Sequence, residues 1–185
     1  MRPEAGEPNL LQLRTESSEE TRFLGAALAH GLRPGDVVLL AGDLGSGKTT
    51  LAQGIAAGLG VADHVTSPTF TLLRSYPCAL AASLADRHGP SQPLPVRTFL
   101  HADVYRLDNL GEIVDLAISE LVEDGAVAVV EWGDVAEPVF GDDALSVRLA
   151  PGTGDDERCV TISASRSWRC RRDELLGLLS AWVAT

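Results

Sequence analysis

Basic residues are scarce in this sequence, because 15 Lys and Arg stand against 26 Asp and Glu and give a formal net charge of -11 over 185 residues. Proteins that bind DNA or RNA unaided obtain most of their affinity from Lys and Arg side chains that neutralise phosphates. The charge balance therefore argues against a direct nucleic-acid interface. Any role connected with RNA is expected to run through a partner protein.

Cysteine is scarce as well. Cys78, Cys159 and Cys170 are widely spaced and form no Cys-x-x-Cys pair, which indicates incidental thiols in a reducing compartment rather than a disulfide or a metal site. The four histidines show no ligand spacing. No apolar run approaches membrane-spanning length, and the first residues lack the apolar segment of a signal peptide. We therefore expect a cytoplasmic chain that does not enter a membrane.

Length and composition predict one domain with a substantial core, since 45% of the residues are hydrophobic and 22% are charged. We expect this domain to span residues 1–185, with a flexible N-terminal tail at residues 1–8. Residues 77–95 are rich in Ala, Ser and Pro and follow no clean period, which indicates an inserted surface loop.

Apolar periodicity predicts strands that alternate with helices. Strands are predicted at residues 10–13, 37–40, 69–76, 96–103, 126–130, 145–149 and 159–163, and helices at residues 15–31, 48–59, 112–122 and 173–183. In the first helix, Phe23, Leu24, Ala27 and Leu28 fit one inward-facing side. The last two strands flank PGTGDDER and predict a C-terminal antiparallel hairpin, whereas the earlier alternation predicts an α/β layered fold with a mostly parallel central sheet.

The segment GDLGSGKTT follows a strand-like apolar run and precedes a helix. Gly42, Gly47, Lys48 and Thr49 match G-x-x-x-x-G-K-[ST], so the segment indicates a P-loop and the whole chain a P-loop NTPase-like fold. Glycines let backbone N–H groups point inward as an anion nest, and the following helix N-terminus adds partial positive charge. We expect Lys48 to reach the β- and γ-phosphates and the Thr49 hydroxyl to ligate magnesium.

Nucleotide contacts are expected along the whole loop, from Asp43, Leu44, Gly45, Ser46, Gly47, Lys48, Thr49 and Thr50. No Asn-Lys-x-Asp guanine-reading motif is present, which favours ATP over GTP. The structural alternative is a glycine-rich turn that happens to precede Lys-Thr, but the strand before the loop and the helix after it favour the P-loop.

Two acidic residues end apolar strands, Asp103 after TFLHA and Glu131 after AVAVV. Ligands of open α/β sheets bind outside the carboxyl ends of the strands, so either acid could serve a metal beside the P-loop. Glu131 follows the longer apolar run and so looks more like the usual acid after a central strand, whereas Asp103 shares its strand face with the polar His101. Each acid taken alone could equally be a solvated carboxylate at a strand end.

The segment TSPTF at residues 66–70 follows the predicted P-loop helix. In nucleotide switches a threonine from this region can reach the γ-phosphate and the metal. Spacing alone favours the alternative, a Ser-Pro turn that enters a strand. Trp132 directly follows Glu131 and could be a core or a partner-facing aromatic residue.

The order GDLGSGKTT, TSPTFTLL, HADVYRL and VVEW resembles the TsaE family, also called YjeE, over about residues 15–149. TSPTF and HxDxYRL are the specific parts, since the P-loop alone matches many unrelated enzymes. The resemblance implies a P-loop ATPase of the bacterial system that makes threonylcarbamoyladenosine next to the tRNA anticodon. It also implies ATP and magnesium as ligands and TsaD and TsaB as protein partners, with tRNA bound only indirectly.

The resemblance further implies roles for individual residues. Lys48 would bind the phosphates, Thr49 and Glu131 would hold magnesium, and Asp103 would position or deprotonate the attacking water. In the same family pattern, Thr69 would sense the nucleotide. Further contacts are implied for Trp132, near the nucleotide or its gate, and for Arg158 and residues 15–18, which would border the adenine.

Three functions remain open from the residues themselves. A partner-dependent ATPase switch is expected to hydrolyse ATP weakly alone, because no arginine finger is evident near the loop. A small-molecule P-loop kinase would need a phosphate-binding lid, for which the candidates are Arg87, Arg166, Arg169, Arg171 and Arg172. The arginine cluster is better explained as a solvated helix start. The third function is a nucleotide-gated binding module without useful turnover.

Overall fold

The computed structural model describes residues 9–79, 95–107, 109–164 and 166–184. The predicted tail at residues 1–8 lies outside the described residues. The same holds for residues 80–94, which make up most of the predicted insertion.

A seven-stranded sheet forms the centre of the described part of the chain. Its strands are β1 (Asn9–Thr15), β2 (Val37–Ala41), β3 (Leu73–Pro77), β4 (Thr98–Asp103), β5 (Val127–Glu131), β6 (Leu145–Pro151) and β7 (Arg158–Ala164). The order across the sheet is β1-β7-β6-β2-β5-β4-β3. The central strands β6, β2, β5 and β4 are parallel, whereas β3, β7 and β1 pair antiparallel. The predicted α/β fold with a parallel centre and a C-terminal antiparallel hairpin is confirmed.

Helices cover both faces of this sheet. They are α1 (Ser18–Ala29), α2 (Lys48–Gly58), α3 (Leu110–Asp115), α4 (Ile118–Glu123), α5 (Gly133–Phe140), α6 (Arg166–Arg169) and α7 (Arg172–Leu179). Short 3-10 turns at Gly141–Asp143 and Ser180–Trp182 follow α5 and α7, so the helix predicted to run to residue 183 ends earlier. Within the described ranges, no helix has the length and apolar character needed to cross a membrane.

Two apolar cores lie on opposite faces of the sheet. Helices α1, α2 and α7 pack on one face, and α3, α4 and α5 contribute to the core on the other. Strands β2 and β5 are buried along their whole length. Continuous apolar runs are typical of parallel strands covered on both faces. Polar chemistry is therefore expected where these strands end, at their carboxyl edge.

Helix α1 starts at an N-cap, because the Ser17 side chain accepts a hydrogen bond from the Glu20 backbone N–H. It packs tightly on α2 at Gly25, where a Cβ atom would lie 2.9 Å from the Ile55 nitrogen. Because the two helix backbones approach so closely at Gly25, the Gly25 side of α1 faces inward, towards α2. The prediction that Phe23 faces inward is wrong, since its side chain is 56% exposed.

The single helix predicted at residues 112–122 is two helices, α3 and α4, with a break at Ala117. Ala117 has φ 53°, a left-handed conformation that no continuous helix allows. Ile113 and Ile118 are both almost fully buried. Residues five apart on a straight helix point about 140° apart, so the break lets both isoleucines face the core.

The strand predicted at residues 69–76 begins later, at Leu73. The backbone N–H groups of Thr71 and Leu72 both donate to the Pro68 carbonyl, at 2.9 and 2.7 Å. These bonds close a turn over residues 68–72. The segment that was predicted to enter the sheet directly therefore folds back over the carboxyl end of β4, where the Asp103 N–H donates to the Leu72 carbonyl.

Candidate nucleotide-binding site

The P-loop connects β2 to α2 at the carboxyl edge of the sheet. Gly47, the N-cap of α2, has φ 103° and no side-chain cap. A side chain at this position would be strained, because left-handed backbone favours glycine. The first N–H groups of a helix have no intrahelical partner and carry partial positive charge. The local fold therefore presents hydrogen-bond donors suited to a phosphate.

Lys48 is buried at the start of α2, with only 4% of its surface exposed. Its Nζ donates to the backbone carbonyls of Gly42 and Asp43 at 2.7 and 2.8 Å. The ammonium also lies 4.2 Å from the centroid of the Trp132 ring. Burial lowers the pKa of Lys48 below its ordinary value, against the opposing attraction of Glu131 and other nearby carboxylates. The ammonium is thus held inside the loop by carbonyls and an aromatic face.

Thr49 and Glu131 meet at the adjoining ends of α2 and β5. The Thr49 hydroxyl donates to both carboxylate oxygens of Glu131, at 2.8 and 3.1 Å. The contact depends on sheet order, because Glu131 pairs with Leu40 at the end of β2, directly before the P-loop. Glu131 is 3% exposed. The structure therefore brings the two predicted magnesium-binding side chains together.

Asp103 ends the next strand and pairs with Glu131 across β4 and β5. One of its carboxylate oxygens accepts hydrogen bonds from the hydroxyls of Thr69 at 2.7 Å and Ser67 at 3.4 Å. The other accepts the backbone N–H of Tyr105 at 3.0 Å. The TSPTF segment is therefore attached to the second acid of the site through its Thr69 hydroxyl.

Trp132 leaves β5 in a left-handed backbone conformation, with φ 61°. Its ring packs against Tyr105, with the two centroids 4.6 Å apart. A positive φ is uncommon for an aromatic residue and is found where the surrounding structure imposes it. The turn places the Trp132 ring beside Lys48, next to the predicted nucleotide.

These groups line one cleft with a volume of about 290 Å³. Its lining consists of Leu44, Gly45, Gly47, Lys48, Thr49, Thr50, Ser67, Thr69, Asp103, Tyr105, Glu131 and Trp132. Of the residues predicted to contact or border a nucleotide, Asp43, Ser46, Arg158 and residues 15–18 do not belong to this lining. Lys48 is the one cationic side chain among the described residues that line the cleft.

The family model described as "Threonylcarbamoyl adenosine biosynthesis protein TsaE" matches residues 15–160. The chain belongs to the TsaE family. A relative from Streptomyces coelicolor, named tRNA threonylcarbamoyladenosine biosynthesis protein TsaE, is 44% identical over 146 residues, covering 77% of this chain and 88% of the relative. The TsaE resemblance of the four sequence motifs is thereby confirmed.

Further matches support the same family. A relative of that name from Bacillus subtilis is 36% identical over 154 residues, covering 83% of this chain and 85% of the relative. One from Treponema pallidum is 38% identical over 149 residues, covering 80% of this chain and 97% of the relative. The crystal structure of Bacillus subtilis YdiB matches with a TM-score of 0.65 at 31% identity, covering 92% of this chain and 94% of that one.

Arg158 of this TsaE-family chain lies outside the P-loop rather than in the cleft. Its Nε donates to the Ser46 carbonyl at 3.0 Å, and its Nη2 to the Gly45 carbonyl at 3.4 Å. The Gly45 and Ser46 carbonyls thus accept from Arg158, which is not among the residues that line the cleft. Arg158 at the start of β7 therefore supports the loop from its outer side.

Sequence reasoning missed three side chains around the TsaE-family site. His101 is fully buried and contacts Glu131, Ser67 contacts Asp103, and the Tyr105 ring packs on Trp132. The sequence signal for His101 was a polar residue between the apolar Leu100 and Ala102 of a predicted strand. Its partner could not be read from the sequence, because Glu131 lies 30 positions away.

The donor set of the cleft suits magnesium bound with a nucleotide. Magnesium prefers oxygen ligands, and it usually combines one or two carboxylates with substrate phosphates rather than an all-protein cage. Thr49 and Glu131 supply a hydroxyl and a carboxylate next to the anion-binding loop. Within the described ranges no cluster of three or more His, Cys, Asp and Glu side chains could hold a metal by itself.

At least one of the arginines considered as a kinase lid, Arg171, lies away from the cleft. Arg171 forms two hydrogen bonds with Asp36, at 2.7 and 2.8 Å, and its guanidinium lies 3.6 Å from the Trp168 ring centroid. Asp36 immediately precedes β2, whereas the P-loop follows β2. Arg171 is therefore engaged at the end of the sheet opposite to the cleft.

Proposed function

We propose that this chain is an ATPase that binds and hydrolyses ATP with magnesium in the cytoplasm. Its turnover would support formation of threonylcarbamoyladenosine in tRNA, in complex with TsaD and TsaB. The observation that carries the proposal is the Thr49 hydroxyl bonded to Glu131 directly behind the P-loop. The curated relatives named for tRNA threonylcarbamoyladenosine biosynthesis supply the biological context.

Phosphate binding would use groups that the loop already presents. The N–H groups at the start of α2 would donate to phosphate oxygens. Lys48 would exchange its bonds to the Gly42 and Asp43 carbonyls for bonds to the β- and γ-phosphates. Its placement inside a buried loop supports this role, because an ammonium acts most strongly on phosphate charge where water is excluded.

Thr49 and Glu131 would hold the magnesium ion. When bound, the ion neutralises charge that develops on the phosphate oxygens. The Thr49 hydroxyl now donates to Glu131. In the loaded site the same oxygen would act as a ligand, and Glu131 would remain within reach to bind directly or through water.

Asp103 would orient the attacking water or accept its proton. It lies on the strand next to Glu131 and is 3% exposed. One of its oxygens is engaged by Thr69 at 2.7 Å. A shift of the Thr69 segment towards the nucleotide would therefore release this oxygen, which links the proposed sensor to the proposed base.

Turnover is expected to depend on partner proteins. Lys48 is the one cation among the described residues that line the cleft, so the transition-state charge lacks an arginine finger there. The net charge of -11 also supports an indirect connection with tRNA, which the partners would bind.

The decisive experiment measures ATP hydrolysis by the purified chain, alone and with TsaD and TsaB. We expect stimulation in the mixture, and we expect Lys48→Ala to abolish both nucleotide binding and stimulation. Arg148→Ala removes one positive charge from an exposed position and serves as the matched control. Undiminished ATP affinity in Lys48→Ala would contradict the P-loop assignment.

The variant Glu131→Gln separates an ATPase from a nucleotide-gated module. An ATPase stalls in this variant, whereas a module stays fully active once ATP is bound. Phosphate transfer to a panel of small acceptors, without stimulation by TsaD and TsaB, would instead support the kinase.

A further inference from the structure

His101 is a polar side chain in the middle of the buried strand β4 and has no exposed surface. Its neighbours in the strand, Leu100 and Ala102, are fully buried apolar residues, and its ring packs on Phe99 with centroids 6.1 Å apart. Burial of a polar ring costs free energy unless its nitrogens find hydrogen-bond partners. A histidine at this position therefore needs an explanation beyond packing.

The polar contact of the His101 ring is with Glu131. The His101 Nε2 lies 2.8 Å from Oε1 of the carboxylate. Because a carboxylate oxygen accepts, Nε2 carries the hydrogen and donates. The other ring nitrogen, Nδ1, is buried and has no hydrogen-bond partner within the described ranges. The ring is thus oriented by one bond, and that bond ends on the carboxylate of the cleft.

Glu131 is held from two directions. Oε1 accepts both the His101 ring from β4 and the Thr49 hydroxyl from α2, each at 2.8 Å. Oε2 accepts only the longer contact from Thr49, at 3.1 Å, among the described residues. Two donors on one oxygen fix the plane of the carboxylate and leave the second oxygen more available to the cleft.

We propose that His101 is a positioning residue that holds the Glu131 carboxylate in the orientation required for metal binding beside the P-loop. This inference rests on the proposed function, in which Glu131 and Thr49 hold magnesium. Residues that hydrogen-bond a metal-binding side chain change metal affinity by about 10-fold to 100-fold when they are replaced. His101 acts on the metal only through Glu131.

The test uses variants that separate donation from packing. His101→Leu keeps an apolar volume in the core but removes the donor. His101→Gln keeps an N–H donor on a side chain long enough to reach the carboxylate. His64→Leu removes an exposed histidine and serves as the matched control. Should His101→Leu not fold, His101→Asn replaces it, because its amide is shorter and does not reach Glu131.

Calorimetry measures the dissociation constant of an ATP analogue that has an imido bridge between the β- and γ-phosphates. The constant is measured once with Mn²⁺ and once with EDTA, which removes free divalent metal. The ratio of the two constants gives the gain in affinity from the metal. We expect His101→Leu to reduce this gain by about tenfold or more and to leave the affinity in EDTA unchanged. His101→Gln should recover most of the gain, and His64→Leu should match the wild type.

A double variant tests the route of the effect. In a Glu131→Gln background, the loss of the His101 donor should reduce the metal-dependent gain no further. An additional loss would overturn the inference, because His101 would then act without Glu131. An unchanged gain in His101→Leu, or an equal loss in His101→Leu and His101→Gln, would also overturn it. Failure of the wild-type chain to bind the analogue would instead overturn the proposed function, and this inference with it.

Discussion

The Thr49 hydroxyl and the Glu131 carboxylate are in hydrogen-bond contact, at 2.8 and 3.1 Å, although 82 positions separate them in the chain. The contact joins the first turn of the P-loop helix to the end of the neighbouring parallel strand. It unites a hydroxyl and a carboxylate, the two oxygen ligands expected for magnesium, beside the only lysine of the sequence.

Removing this hydroxyl should weaken metal-dependent nucleotide binding. Thr49→Val keeps the branched shape, so we expect the Mn²⁺-dependent gain in affinity for the imido analogue to fall by about tenfold or more. Thr49→Ser keeps the hydroxyl and should retain most of the gain. Calorimetry with Mn²⁺ and with EDTA checks both. Equal behaviour of the two variants would mean that the hydroxyl is not a ligand.

Replacing the second acid should separate binding from turnover. Asp103→Asn should leave the affinity for ATP largely intact and reduce hydrolysis in the TsaD and TsaB mixture by about 100-fold or more, because a general base contributes roughly 10²-fold to 10⁴-fold. Asp115→Asn, at an exposed position on α3, is the control. Hydrolysis that survives in Asp103→Asn would assign Asp103 to the anchoring of Thr69 alone.

If Arg158 supports the P-loop, replacing it should weaken nucleotide binding to the same extent with and without metal. Arg158→Met removes charged donors to the Ser46 and Gly45 carbonyls, so we expect about 1.5 kcal/mol, or roughly tenfold, weaker nucleotide binding. The loss should be equal with Mn²⁺ and with EDTA. Arg148→Met, on the neighbouring strand, should bind like the wild type. A loss confined to Mn²⁺ would place Arg158 at the metal instead.

Stability should decline at alkaline pH because of Cys78. Burial raises the pKa of the Cys78 thiol from its ordinary value of 9.0 to about 11. The unfolded chain therefore releases this proton first, and the free energy of unfolding falls as the pH rises from about 9 towards 11. Urea unfolding at about pH 8 and about pH 10 measures the decline.

The matched variant is Cys78→Ala, which should lack this part of the decline. Cys159 and Cys170 are exposed, so they should also react with an alkylating reagent before Cys78 does. Rapid modification of Cys78 in the folded chain, or an identical decline in Cys78→Ala, would contradict the burial argument.

Elements with strong local signals were predictable from the sequence. Strand β2, the glycine loop and helix α2 lie where the sequence predicts them. Their signals are an apolar run, glycines and a helical period, and each is contained within a few neighbouring residues. Strand β5 and the C-terminal hairpin also lie close to their predicted positions, because their sequence patterns are equally local. The predictions that went wrong concern packing. Phe23 of α1 is exposed rather than buried. Ala117 breaks the predicted helix, so that Ile113 and Ile118 can both face the core.

By itself, the sequence determined the chemical groups of the site and the local geometry of the anion-binding loop. Of the two strand-end acids, the longer apolar run before Glu131 favoured it over Asp103 as the acid after a central strand, but the residue pattern left both as candidates for the metal. Tertiary structure decided between them, because the order β2-β5-β4 places Glu131 next to the P-loop and Asp103 one strand further away. Only the same strand order puts His101 against Glu131, since contacts between distant segments depend on which strands become neighbours in the sheet.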